Sequence, residues 1–523
     1  MKNTIYALLL ILFTTNANAQ TKVFKEVSED ISSQLAPIIQ DGKLVGYLFF
    51  TTLEKSSADS FNYKLSIMDE NLNDIGTVSF QQEHLDLKEV SFEQDILCLA
   101  YIKSNFVGKE FRNGKEFKRE ASNAKTSLFT QFVDLNGKIV GTSTTAMDVR
   151  PESDYVYTGY YRSKLYGNGR LKHPLELKNI TGKGFACFYG DDSRNNLLVF
   201  NTAGKKIWQN QVREDATDFV MLTSGTEIDL LVKKADDMKE GGFEILSYNS
   251  SDSSTYPKFI LKDKKGNSLK VLAFENDPAT GKPYVSGMII DAKNGNRFVT
   301  GNNLRHGPYD GVFTINLDGH SKKDIKASFS YWADGSQSFV DNHGLFLEPN
   351  LYANVERSFK DFNGDTYFAA CGVKRRFRWG GLAWGVVLSP LVLSPFLYLG
   401  GGLHRYAFKD VLLIRQDAAG KLSLATTVPE ETGQYQFCAY PLYMVDPRSY
   451  YTVSNPDTRS DYLIINSEKN IDVYNVSRNK MARSIPHKDG NTTINLFPAK
   501  EGYVMVSEYN KKEKTTRLSI EAL

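Results

Sequence analysis

Asp361, Asn363 and Asp365 place three oxygen-bearing side chains at alternate positions, the way a calcium loop begins. The match then fails. Thr366 stands where the sharp-turn glycine belongs and Gly372 where a bidentate glutamate would close the site, so the residues favour a plain turn ahead of an apolar strand. The seven histidines (84, 173, 306, 320, 343, 404 and 487) are scattered without ligand spacing, and no C-x-x-C pair exists, so no metal centre is expected. A G-x-S-x-G elbow, an H-E-x-x-H helix and a phosphate-cradling glycine loop are all absent from the sequence. No catalytic residue and no cofactor are read from it.

Two stretches have a composition suited to binding. DYVYTGYYRSKLYGNGRLKHP (154–174) gathers Tyr155, Tyr157, Tyr160, Tyr161 and Tyr166 with Arg162, a mixture that favours stacking and adaptable hydrogen bonding to a glycan or peptide. Tyr155 and Tyr157 fit equally well as ordinary strand residues. RHGPYDGVF (305–313) offers Arg305, His306, Tyr309 and Asp310 just before an apolar strand.

A third stretch is apolar. Between Trp379 and Leu403 the chain holds 25 residues with no charge. Length alone permits a membrane-spanning helix. Against a span stand Pro390 and Pro395 in mid-run, and a charge bias that would leave Lys374, Arg375, Arg376 and Arg378 outside with only Arg405 and Lys409 near the inside. The strands before and after the run also fit one structural unit, which a single span would divide. We therefore expect a hairpin insertion over 374–406 that folds back near one of the Ser-Pro pairs. Its cations Arg375, Arg376 and Arg378, its amphipathic Trp379, Trp384 and Tyr398, and its apolar Val387, Leu391, Phe396 and Leu397 make up what a segment seated at a membrane surface, or against an envelope protein, needs.

The elements that must carry these segments are strands. Alternating apolar and polar residues dominate, as in YKLSIMD, LFTQFVDL, NLLVFNT and GVFTINL, so the chain is all-β. The one plausible helical piece, Ser28 to Ile39, is interrupted by Pro37. An apolar strand, a variable gap and a second strand ending in a polar turn recur at 46–80, 95–143, 182–212, 283–329, 365–429 and 461–486. Asn136-Gly137, Ala203-Gly204, Asp318-Gly319 and Ala419-Gly420 are read as turns that need a positive φ. None of these units can bury its faces alone, and a ring of them can. The final unit stops three strands in, and TKVFKEVS (21–28) supplies a fourth. This predicts a β-propeller of about seven four-stranded blades, with eight as the next count, closed by the N-terminal and C-terminal strands; tandem β-sandwiches are the alternative.

Each cysteine (98, 187, 371, 438) lies in an apolar run, which reads as a buried small hydrophobe or, for one pair, a bridge between neighbouring strands. Lysine plus arginine (63) nearly cancels aspartate plus glutamate (61), which gives no field for nucleic acid. Residues 1–19 have the three-part layout of a secretory signal, with Ala17-Asn18-Ala19 ahead of Gln20, and no cysteine follows to take a lipid. The expectation is an exported chain, 20–523, forming a single propeller.

The repeated Asp/Asn-x-Gly-Lys turn and the short strands closing on Val428-Pro429 and Ile485-Pro486 resemble those of uncharacterised secreted propeller-type proteins of Gram-negative bacteria. The resemblance implies a fold and a periplasmic or outer-membrane-associated location, and brings no catalytic residues. The function expected is that of an envelope binding or scaffold protein attached through 379–403 to a membrane or a partner. The alternatives are a subunit of an outer-membrane assembly that uses that run as an interface, and a propeller enzyme acting on polysaccharide or peptide.

Overall fold

Strands of two kinds alternate along the chain. Gly184–Gly190 and Pro283–Ile290 are buried at every position, whereas Asp74–Gln82 alternates exposed and half-buried residues. A strand covered on both faces selects continuous apolar sequence, and one at a rim selects alternation. The computed structural model describes residues 21–25, 32–41, 43–57, 60–156, 160–165, 171–234, 242–291, 309–321, 323–334, 339–377, 404–429, 448–455, 457–467, 469–500 and 502–523. It arranges these strands as eight antiparallel sheets in a ring, a β-propeller, which is the higher of the two counts read from the sequence.

Within a blade the chain passes from an inner strand outward. The inner strands are Ser32–Gln40, His84–Glu93, His173–Ile180, Ala216–Ser224, Leu269–Asn276, Leu351–Lys360, Ser449–Asn455 and Thr492–Pro498 for blades 1 to 8. Blades 6 and 8 add a two-residue strand inside the inner one. Eight apolar clusters fill the ring among the described residues, and each is shared by two successive blades. The last of them sets Met505, Leu518 and Ile520 of blade 8 against Tyr47, Met68 and Leu72 of blade 1. Closure within blade 8 is as the sequence predicts: Thr21–Lys25 pairs antiparallel with Thr515–Ala522 as its outer strand.

Blade 4 is the unit absent from the sequence repeat. Its outer strand is only Phe259–Ile260, and its last turn uses Ser253 at φ 59° in place of a glycine. Of the segment 28–39, read from sequence as the one helical piece, residues 32–39 instead belong to Ser32–Gln40, the inner strand of blade 1. An inner strand is an edge, so Pro37 can face its missing N–H away from the ladder. A helix does form at Gly114–Ala121, where the Asn113 side chain accepts from the N–H groups of Lys115 and Glu116 at 3.1 and 2.9 Å.

The turns follow one chemical plan. Asp134 Oδ1 accepts from the N–H groups of Asn136 and Lys138 while Gly137 takes φ 83°. Asp361 does the same with Asn363 and Asp365, and Asp417 with Ala419 and Lys421. The 361–365 segment is therefore a turn whose first carboxylate is already engaged by backbone donors. Gly204 and Gly420 are at positive φ as expected. Asp318-Gly319 departs from the expectation: Gly319 is not among the positive-φ residues, and a longer turn is closed there by Asp324, whose carbonyl accepts from Asp318 N–H at 3.0 Å. Cys98 and Cys187 are buried thiols in the seam between blades 2 and 3, and Cys371 is buried with its Sγ accepting from Arg448 Nη2 at 2.6 Å; Cys438 lies outside the described residues.

Candidate functional site

The meander divides the ring into two ends. Turns from inner to second strand and from third to outer strand lie at one, the turn end; the remaining connections lie at the other, the loop end. All three segments singled out from the sequence are loop-end connections. Residues 378–403 join the second and third strands of blade 6, 291–308 do so in blade 5, and 148–172 link blade 2 to blade 3. Phe377 pairs with His404, Arg376 with Arg405 and Arg375 with Tyr406, so the two ends of the apolar run leave one ladder side by side. A single crossing of a bilayer is incompatible with that pairing. No helix among the described residues is long and apolar enough to cross a membrane. Arg378, Trp379, Trp384, Val387, Leu391, Phe396, Leu397 and Tyr398 lie outside the described residues.

The tyrosine-rich stretch forms an accessory sheet, Pro151–Val156, Tyr160–Leu165 and Glu110–Phe111 in that order. Its register sets Tyr155 opposite Tyr161 and Tyr161 opposite Phe111, while Asp154, Arg162 and Glu110 form the adjacent row. Phe111 is 3% exposed and packs on Phe106 and on Phe117 of the helix. Tyr157 and Tyr166 are outside the described residues, as are Arg305 and His306.

Tyr309 opens the third strand of blade 5 and is a core residue, 5% exposed, whose hydroxyl accepts from Lys270 Nζ at 3.0 Å. Asp310 beside it is half-buried, and its carboxyl is raised above the usual range by burial and by Asp291, with Lys265 opposing.

One group of charged residues was not anticipated. Glu89 on the inner strand of blade 2, Glu176 and Lys178 on that of blade 3, and Asp218 on that of blade 4 come together along the channel wall. Inner strands are edges with unpaired backbone N–H groups, and Glu176 meets one of them: its Oε2 accepts from Met221 N–H of the next blade at 2.9 Å. Burial pushes the Glu176 carboxyl up to about 7; the Met221 bond and Lys178 oppose this, while Glu89 and Asp218 add to it. Glu89 is raised by burial as well, against Lys178. A carboxyl that holds its proton near neutrality thus stands beside others, in a wall able to give or take a proton or to hydrogen-bond hydroxyl and amino groups of a ligand. In the sequence these residues are polar positions of short strands in three separate units, and no spacing marks them. On the next two blades the charges are already paired: Arg357 of blade 6 bonds Glu275 of blade 5, which also accepts from the Tyr284 hydroxyl at 3.2 Å.

Residues 1–112 match the model of a family of unknown function (DUF6770). No curated protein matches the chain. Among solved structures, the Dos1 propeller is similar at 8% identity with a TM-score of 0.40, over 95% of this chain and 94% of that one. The WD40 domain of SCAP from fission yeast is similar at 10% identity and TM-score 0.38, over 96% and 98% of the two chains. BamB from Moraxella catarrhalis is similar at 10% identity and TM-score 0.30, over 84% of this chain and 98% of its own.

Proposed function

We propose that the protein is a binding or scaffold propeller of the cell envelope, held to a membrane surface through its 379–403 insertion. The observation that supports this most is the pairing of Phe377 with His404: an uncharged run of 25 residues leaves blade 6 and returns to the same ladder, with Arg375 and Arg376 at its base. Burying such a run at about 25 cal/mol per Å² is worth several kcal/mol, enough for reversible attachment. The expected result is that the full chain floats with vesicles of phosphatidylethanolamine and phosphatidylglycerol, and that a folded variant lacking 379–403 does not. A deletion variant that still floats refutes attachment through this run. An intact chain that stays with outer-membrane protein and ignores lipid transfers the run to a protein interface, the role of an assembly subunit.

A second reading, an enzyme acting on polysaccharide or peptide, draws on the channel carboxylates. It expects hydrolysis of an envelope polymer with an acidic limb set by Glu176, pushed up to about 7. Glu176→Gln would then lower the rate at least a hundredfold and remove that limb from the pH profile. Turnover that survives the substitution with the same profile excludes the channel as the site.

A further inference from the structure

Toward the turn end, the seam between blades 6 and 7 gives way from apolar filling to carboxylates. Its apolar part consists of Phe359, Tyr367, Val411 and Leu413 of blade 6 against Leu463, Ile465, Tyr474 and Val476 of blade 7. Beyond it lie Asp361 and Asp365 at the two ends of blade 6's first turn and Asp461 on the second strand of blade 7, exposed by only 5%, 6% and 1%. Asp365 is neutralised: Arg415 Nε donates to its Oδ2 at 2.8 Å. Asp361 spends Oδ1 on the N–H groups of Asn363 and Asp365, each at 2.9 Å, and its Oδ2 accepts from Asn363 Nδ2 at 3.2 Å. Asp461 accepts from Ser454 Oγ at 2.6 Å through Oδ1, and its Oδ2 is buried with no hydrogen-bond partner.

A buried carboxylate oxygen with no donor, facing a second carboxylate, is costly when both groups are ionised. We propose that Asp461, its buried Oδ2 without a donor and the Asp361 carboxylate across the seam, takes up a proton in mild acid, which makes this seam a proton-binding site that tightens as pH falls. Around the pair stand Asn363, Asp365, Tyr367 and Arg415 of blade 6 and Ser454 of blade 7, while Ser477 Oγ accepts from the Asp461 N–H. Arg415 is committed to Asp365, and Arg459 Nη2 donates to the Phe362 carbonyl at 2.7 Å. Burial lifts the Asp461 carboxyl to about 6; Ser454 opposes, Asp361 adds to the rise, and the Phe362 backbone tempers it. Asp361 is raised as well, chiefly by burial. The inference is independent of how the protein is attached to the envelope.

The sign follows from the direction of the shift. A carboxyl raised above its unfolded value, about 4, adds stability that is present in acid and is lost as pH rises toward the folded value near 6. The test is urea unfolding of the full chain between about pH 4.5 and 7.5, compared with Asp461→Asn and Asp361→Asn. Up to about pH 6 the wild-type unfolding constant should climb with pH more steeply than that of Asp461→Asn, by as much as about tenfold per unit. Asp361→Asn should move the wild-type bend to lower pH, and this result carries the test if Asp461→Asn does not fold. Parallel wild-type and Asp461→Asn curves overturn the proposal, as does a bend unmoved by Asp361→Asn. So does calcium at about 1 mM that raises wild-type stability at pH 7.5 and leaves Asp461→Asn unchanged, since a cation would then be the occupant.

Discussion

Replacing Lys360 by methionine is expected to cost roughly 3–5 kcal/mol of stability, a large change for a single residue. The side chain is 4% exposed, and its ammonium donates to Asp277 Oδ2 at 2.6 Å and to Asn316 Oδ1 at 2.7 Å. It also lies 5.2 Å from the centroid of the Tyr284 ring. Lys360 ends the inner strand of blade 6, whereas Asp277 starts the first turn of blade 5 and Asn316 is on that blade's third strand, so one cation ties two blades together. Asp277 Oδ1 is already used by the N–H groups of Ala279 and Thr280. Without the ammonium, a buried carboxylate is left uncompensated, and that penalty exceeds what the methionine side chain regains by packing. Urea unfolding measures the loss. Combining Lys360→Met with Asp277→Asn should recover much of it, because the stranded charge is then gone. A loss below about 1 kcal/mol for Lys360→Met alone would mean that water or rearrangement reaches the site and that the pair does not hold the seam.

The second large effect concerns the strand Thr21–Lys25. Chain connectivity links each strand to the next around the ring, except where blade 8 joins its third strand to this one by hydrogen bonds alone. Five residue pairs, Thr21 with Ser519 through Lys25 with Thr515, make that ladder. Lys22 also forms an ion pair with Asp74 of blade 1. Cross-strand pairs are worth up to about 1 kcal/mol each, so deleting 21–25 should cost about 1–5 kcal/mol. It should also uncover the edge of Thr515–Ala522, a template for pairing with a second chain. The expected outcome is a lower unfolding midpoint together with self-association seen by light scattering. A variant that stays monomeric with an unchanged midpoint would show that the seam of Met505, Leu518 and Ile520 against Tyr47, Met68 and Leu72 closes the ring unaided.

Much of this architecture can be read from local sequence, for reasons visible at particular residues. The second and third strands of a blade are covered on both faces, so GFACFYG and PYVSGMII read as continuous apolar runs. A tight turn that needs φ near +80° selects glycine, as at Gly137, Gly204 and Gly420. Where a blade departs from the plan the reading weakens: blade 4 closes on a two-residue outer strand with Ser253 in the left-handed position, and it escaped the repeat. Pro37, which argued against a regular element at 28–39, is harmless on an edge strand. The helix Gly114–Ala121 buries none of its residues and has only Asn113 to announce it.

The sequence by itself determined the strands, the turns and the strand pair that brackets the apolar run, because side-chain alternation and backbone sterics act over a few residues and leave their mark within that range. Only the tertiary structure decided which charged groups meet. Glu89, Glu176 and Asp218 come from blades 2, 3 and 4, Lys360 and Asp277 from blades 6 and 5, and Asp361 and Asp461 from blades 6 and 7. Each lies on a strand or turn that is ordinary when read alone. The raised carboxyls of Glu89, Glu176, Asp361 and Asp461 and the pairing of Lys360 with Asp277 arise from burial and from neighbours that the winding of the ring supplies.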